Sequence, residues 1–417
     1  MSVFTITGGS SLSGRLTIHG AKNSALPILA ATVLCPGVSV IHNCPPLSDV
    51  AASIAILEHL GCAVTQSGST VTVDATHLDR NDVPDELMRE MRSSVIFLGA
   101  ILGRTGRAEM CYPGGCELGP RPIDLHLSAL RSLGAGILEG PDGLTCTASS
   151  LVGGDITLSI PSVGATENAM LAAVAAQGVT TITNAAREPE IVDLQDFLRT
   201  LGAHISGAGS SVITVEGGHP LHGGEHIVIG DRIVACTHLA AVAAAGGDVE
   251  LTGVDYRHLS TVTSVLAEAG CHVKSGNDFV RLRRSGPLTC VRPIRTAPYP
   301  GFPTDAQAPI MAGLCTARGA TVFVETIFSS RYRHVDELTR MGAQIRVEGQ
   351  VAIVTGVERL HAARVVAHDL RGGAALVAAA LGAEGTTVVE GLQHIDRGYY
   401  DLDGALRSLG AYIERID

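Results

Sequence analysis

The stretch from Met110 to His126, MCYPGGCELGPRPIDLH, sets Cys116 among glycines and prolines, five residues ahead of Arg121. Such a loop is a poor place to bury sulfur. A neighbouring guanidinium lowers a thiol's pKa below the free value of about 8.5, which makes it an accessible acid or nucleophile. Lysine occurs only as Lys22 and Lys274 among 30 basic residues. In HGAKNSALP, Lys22 follows a strand pattern and opens a helix, where free N–H groups favour an anion. Arg121 precedes Pro122, which suits the first turn of the helix IDLHLSALRSLG. Arg331 in SSRYRHVDEL, Arg371 in AHDLRGG and Arg397 in HIDRGYYDLD stand at further helix starts. There a guanidinium either forks onto carboxylate or phosphate oxygens or serves in a surface ion pair. Asp305, in YPGFPTDAQAP, follows a Pro-Thr turn ahead of a helix, so its carboxylate is either an N-cap or a base.

The elements that must position these residues repeat six times. A helix ending in Gly recurs at Gly61, Gly134, Gly202, Gly270, Gly342 and Gly410, at intervals of 68 to 73 residues. Each glycine can stop its helix in the left-handed conformation before strands such as SVITVEG or QVAIVTG. Upstream lies a second, Ala-rich helix, as in AMLAAVAAQGVTTI or LVAAALGAEGTTVV. The unit reads strand, helix, strand, helix, strand, strand, an α/β fold. The sixth unit runs out at Asp417 while the chain begins with spare strands, VFTITG and GRLTIHG, so the N-terminus is expected to complete the last unit. Six units then divide into a continuous domain, 22–229, and a discontinuous one, 1–21 plus 230–417. Two connections between them predict a hinged cleft.

Composition narrows the function class. A length of 417 residues exceeds one core, and 46% hydrophobic with 17% charged residues marks a globular chain. A net charge of −11 and the lack of basic runs with interleaved aromatics argue against nucleic acid. No signal peptide or membrane span is legible, so the protein is expected in the cytoplasm. The ten cysteines lie singly, without a Cys-x-x-Cys pair, as reduced and mostly core thiols, and no metal site is expected.

GAKNSALP, MRSS, PGGCELGPRPIDLHL, PSVGATENAML, NAAREPEIVDL, FPTDAQAP, RYRHVDELTRMGA, HDLRGG and HIDRGY, in this order along the chain, resemble the UDP-N-acetylglucosamine 1-carboxyvinyltransferases, members of the enolpyruvyl transferase family. The resemblance implies a two-domain inside-out α/β barrel, three repeats per domain, with the reaction in the cleft. It also implies transfer of enolpyruvyl from phosphoenolpyruvate to the sugar 3-hydroxyl of UDP-N-acetylglucosamine, without cofactor or metal, and sensitivity to the epoxide fosfomycin. Carried over by position, Cys116 on a lid is the general acid and Asp305 the base, and Lys22 belongs with them to the catalytic set. Lys22, Arg92, Arg121, Arg331, Arg371 and Arg397 bind phosphoenolpyruvate. Asn23, Arg121, Pro122, Ile123, Asp124, Leu125, Ser162, Val163, Gly164, Asp305 and Ile327 bind the UDP-sugar. Ser329, Ser330, Val234 and Ile160 depart from the family's usual residues, and Ser329, Ser330 and Ile160 lie near segments expected to touch the acceptor, which leaves its choice open to another nucleotide or nucleotide sugar. The resemblance says nothing of oligomeric state.

Overall fold

The computed structural model describes residues 2–112, 123–141 and 143–416. Two compact units emerge, one of residues 2–19 and 230–416, the other of residues 20–112, 123–141 and 143–229. Each has its own apolar core.

Both units are built from three four-stranded sheets around three buried helices. In the unit that starts at Gly20 the inner helices are Lys22–Ala31, Phe97–Thr105 and Val163–Ala175. In the other they are Arg232–Ala245, Thr304–Gly313 and Leu370–Gly382. These helices are mostly apolar and buried along their length, as the Ala-rich sequence requires, with polar and charged residues chiefly at their ends. Small residues let their backbones approach closely: a Cβ on Gly382 would lie 2.5 Å from the Ala244 carbonyl oxygen, and one on Gly99 would lie 2.5 Å from that of Asn168. Amphipathic helices such as Pro189–Thr200, whose outward face carries Asp196 and Arg199, complete each repeat.

The expected order of strands and helices is found, and the sheets show how the repeats close. The third sheet runs Asp155–Thr157, Gly178–Thr183, Val212–Gly217, His204–Ser206, with a parallel first pair and antiparallel pairs after it. Val3–Thr7 inserts between Thr386–Glu390 and Tyr412–Ile416 and completes the sixth repeat. The second spare strand does otherwise. Leu12–Thr17 pairs in parallel with Gly247–Thr252 and supplies the first strand of the fourth repeat. By the same device Glu225–Ile227 pairs with Val38–His42 and supplies the first strand of the first repeat. Sequence pattern identifies a strand but not its partner, which is set by distant residues.

Candidate active site

In the unit containing the C-terminal half, charged side chains gather at the starts of the inner helices. Asp231 caps the first, accepting from the Ile233 and Val234 N–H groups at 2.8 and 3.0 Å. Asp369 caps the third, accepting from Arg371 and Gly372 N–H at 3.0 and 2.9 Å. Asp305 is the second residue of the second helix, whose cap position is Pro303, so the N-cap reading does not hold. Instead its carboxylate accepts from Arg331 Nη2 at 2.6 Å and from Arg371 Nη2 at 3.4 Å. Both guanidiniums are buried, while the Asp305 side chain keeps 28% of its surface exposed. Arg331 Nε and Arg371 Nη1 are buried and donate to no protein acceptor among the described residues. Orphaned buried donors are expensive, and an anionic ligand would satisfy them.

The surroundings hold this cluster in place. Arg371 lies over the Tyr399 ring at 5.4 Å, and Tyr399 exchanges a hydrogen bond with Thr237 at 2.8 Å. Burial opposes the Arg371 charge, yet Tyr399, Asp305 and Asp231 keep its pKa above the usual value. Buried Glu325 accepts from Thr304 Oγ1 at 3.0 Å and from the Ile327 N–H at 2.8 Å, which ties the Asp305 helix to the turn bearing exposed Ile327. Arg397 is half-buried in the turn after Leu392–Ile395, next to Asp396, which pairs with Arg415 at 2.7 Å. His334 is buried beside Asp369 and Arg331, and burial pushes its pKa down to about 4, so the ring is neutral.

The other unit repeats the arrangement with different residues. Lys22, the first residue of its helix, is buried rather than solvated, and Nζ meets buried Asp49 at 2.9 Å. Asn23 beside it is half-buried. Arg92 opens the 3-10 turn Arg92–Ile96 that leads into Phe97–Thr105. Ser162 caps Val163–Ala175, its hydroxyl accepting from Ala165 N–H at 3.4 Å. Ser162, Val163 and Gly164 are half-buried there. Gly164 is required by close approach, since a Cβ would lie 2.9 Å from His126 Cε1. Ile123 and Leu125 are half-buried and Asp124 is exposed at the start of Asp124–Ser132. Cys116, Arg121 and Pro122 lie outside the described residues.

Asn168 organises this group. Its Nδ2 donates to His126 Nδ1 at 2.7 Å and to the Val95 carbonyl at 2.8 Å, while Oδ1 accepts from Gly99 N–H at 2.7 Å. Buried His126 is neutral, its pKa pushed down to about 4, and its proton therefore sits on Nε2. Sequence reasoning singled out neither Asn168 nor Asp49, because a buried polar bridge has no spacing signature. Nor did it find Cys290, which is exposed; of the other described cysteines Cys111 is half-buried and the rest are buried.

Each unit thus repeats three times an α/β pattern with charged or polar side chains at the starts of its inner helices, the two-domain α/β fold of the enolpyruvyl transferases. The crystal structure of the enolpyruvyl transferase NikO from Streptomyces tendae superposes with a TM-score of 0.89 at 27% identity, over 99% of this chain and 98% of that one. An EPSP synthase from Acinetobacter baumannii shares the fold at 0.77 and 19% identity. The family model EPSP synthase (3-phosphoshikimate 1-carboxyvinyltransferase) matches residues 6–406. UDP-N-acetylglucosamine 1-carboxyvinyltransferase 2 of Caldanaerobacter subterraneus is 52% identical over the full length of both chains. The corresponding protein 1 of Carboxydothermus hydrogenoformans is 46% identical over 100% of this chain and 99% of its own. This chain belongs to that family of carboxyvinyltransferases and is an enzyme.

Proposed function

We propose that this chain transfers the enolpyruvyl group of phosphoenolpyruvate to the 3-hydroxyl of UDP-N-acetylglucosamine, releasing phosphate in the first committed step of peptidoglycan synthesis. The observation that carries the reading is the 52% identity, end to end, with a relative named for that reaction. The buried pair Arg331 and Arg371, each with a donor left over beside the Asp305 carboxylate, supports it chemically.

Asp305 takes the proton of the sugar 3-hydroxyl as that oxygen bonds to C2 of phosphoenolpyruvate, and Cys116 supplies the proton that C3 gains. Loss of a C3 proton and of phosphate then restores the double bond in the product ether. Arg331 and Arg371 hold the donor's carboxylate, Lys22, Arg121 and Arg397 hold its phosphate, and Arg92 lines the site, all stabilising charge during addition and elimination. Asn23, Ser162, Val163, Gly164, the segment from Arg121 to Leu125, and Ile327 bind the UDP-sugar. The reaction needs no metal or cofactor, because protonation activates the enol ether. It belongs to the cytoplasm, serves cell shape and division, and is stopped when fosfomycin alkylates Cys116.

The test is phosphate release from phosphoenolpyruvate with UDP-N-acetylglucosamine, beside UMP and shikimate 3-phosphate. Release with the UDP-sugar alone, abolished by Cys116→Ala, is expected. Release with UMP instead would keep the chemistry and replace the acceptor. Thiol labelling belongs in a Cys290→Ala background, since Cys290 is the exposed cysteine among the described residues.

A further inference from the structure

Outside the residues given to catalysis, one hairpin gathers two imidazoles and a carboxylate. The strands His204–Ser206 and Val212–Gly217 pair antiparallel, with His204 directly opposite Glu216. Their neighbours Ile205 and Val215 are buried, so alternation turns His204 and Glu216 to the outer face. After Glu216 the chain reverses at Gly218, where φ is +81°. This turn returns His219 over the sheet, and its ring stacks on that of His204 with centroids 3.9 Å apart and planes 27° apart. His204 Nδ1 lies 3.9 Å from Glu216 Oε2, and His219 Nε2 lies 3.4 Å from Glu216 Oε1. The three ligand atoms all fall within 4.8 Å of one another. His219 Nε2 is shielded from solvent and makes no hydrogen bond of good geometry.

We propose that His204, Glu216 and His219 form a binding site for a divalent transition-metal ion of the zinc class, with water completing the coordination. Zinc bonds of about 2.0–2.2 Å in a tetrahedron set ligand atoms roughly 3.3–3.5 Å apart. One spacing already has this value and the others lie within 4.8 Å, while His204, whose exposed side chain makes no hydrogen bond to another described residue, has room to turn towards the ion. Two imidazoles with one carboxylate select zinc, nickel or copper over magnesium and calcium, which take oxygen ligands. A bound ion would link the segment after Gly218 to the hairpin, so its effect falls on the stability of this unit. None of the three residues belongs to the catalytic set, and turnover is expected to be unchanged.

The rival reading is a surface ion pair in which Glu216 meets protonated histidine, with no ion between. Calorimetric titration of the full chain with Zn2+ separates the two, with Mg2+ as a parallel probe. His204→Ala and His219→Ala are compared with His222→Ala, a nearby exposed histidine outside the triad. The expected result is one Zn2+ site that Mg2+ does not fill. It should weaken at least roughly tenfold, or vanish, in His204→Ala and in His219→Ala, and stay unchanged in His222→Ala. Circular dichroism confirms that each variant is folded. Absence of Zn2+ binding to the wild-type chain would overturn the proposal. So would retention of the same affinity in either triad variant, which would place any bound zinc at cysteines or other histidines.

Discussion

At the scale of single residues, the chemistry rests on a carboxylate flanked by two buried guanidiniums. Asp305 accepts from both Arg331 and Arg371, yet it keeps an exposed face, so it is positioned from behind and open in front. Asp305→Asn preserves the side chain's shape and much of its hydrogen bonding but removes the base. In steady-state phosphate release it is expected to lower kcat by roughly 10²–10⁴-fold while the melting temperature stays close to wild type. An unchanged kcat would remove Asp305 from proton transfer. The residue types at this site were legible in the sequence, since Arg and Asp at helix starts stand out in a chain with two lysines. Their roles were not, because cap and base use the same residue at the same place.

At the scale of elements, Asn168 joins three pieces of backbone: the helix it stands on, the turn and helix from Arg92 to Thr105, and the Asp124–Ser132 helix through His126. Asn168→Ala leaves the Gly99 N–H and the Val95 carbonyl buried without this partner. Each unsatisfied group costs about 1–3 kcal/mol, so a clear fall in the urea midpoint is expected. Because the same bridge orients the segments bearing Arg92 and Ser162, KM for both substrates should rise as well. A variant with wild-type stability and KM would show that the bridge carries no load. Gly382→Ala is a second test at this scale, since its methyl would meet the Ala244 backbone, and overpacking of this kind costs about 1–3 kcal/mol.

At the scale of the whole molecule, buried titratable groups set the pH dependence of stability. Burial pushes the pKa of His126, His238 and His334 down from 6.5 to about 4. Between those limits the unfolded chain takes up protons that the folded chain refuses. Stability therefore falls as pH drops from 6.5 towards 4, by on the order of 1 kcal/mol per pH unit for each histidine. Glu167 runs the other way. Burial first, then Glu190 and Glu188, raise its pKa from 4.5 to about 8, so the folded chain keeps a proton that the unfolded chain releases. Its contribution weakens the fold as pH rises from 4.5 to 8. Three groups against one make the acid side the steeper, with maximal stability near pH 6.5. Urea midpoints across pH 5 to 8 read this directly, and a flat profile between pH 5 and 6.5 would contradict it.

The sequence by itself determined the period of the repeat, the order of strands and helices within it, and the helix starts at which charge collects. Those are local properties: a left-handed glycine stops a helix and an all-apolar helix must be buried, whatever surrounds them. Tertiary structure decided which strand closes which sheet, sending Val3–Thr7 to the sixth repeat and Leu12–Thr17 to the fourth. It decided that Lys22 is buried against Asp49, that Asn168 bridges three segments, and that His204, Glu216 and His219 meet on one hairpin. Such pairings join residues from different segments, and their energies depend on burial and distance, which only the folded backbone sets.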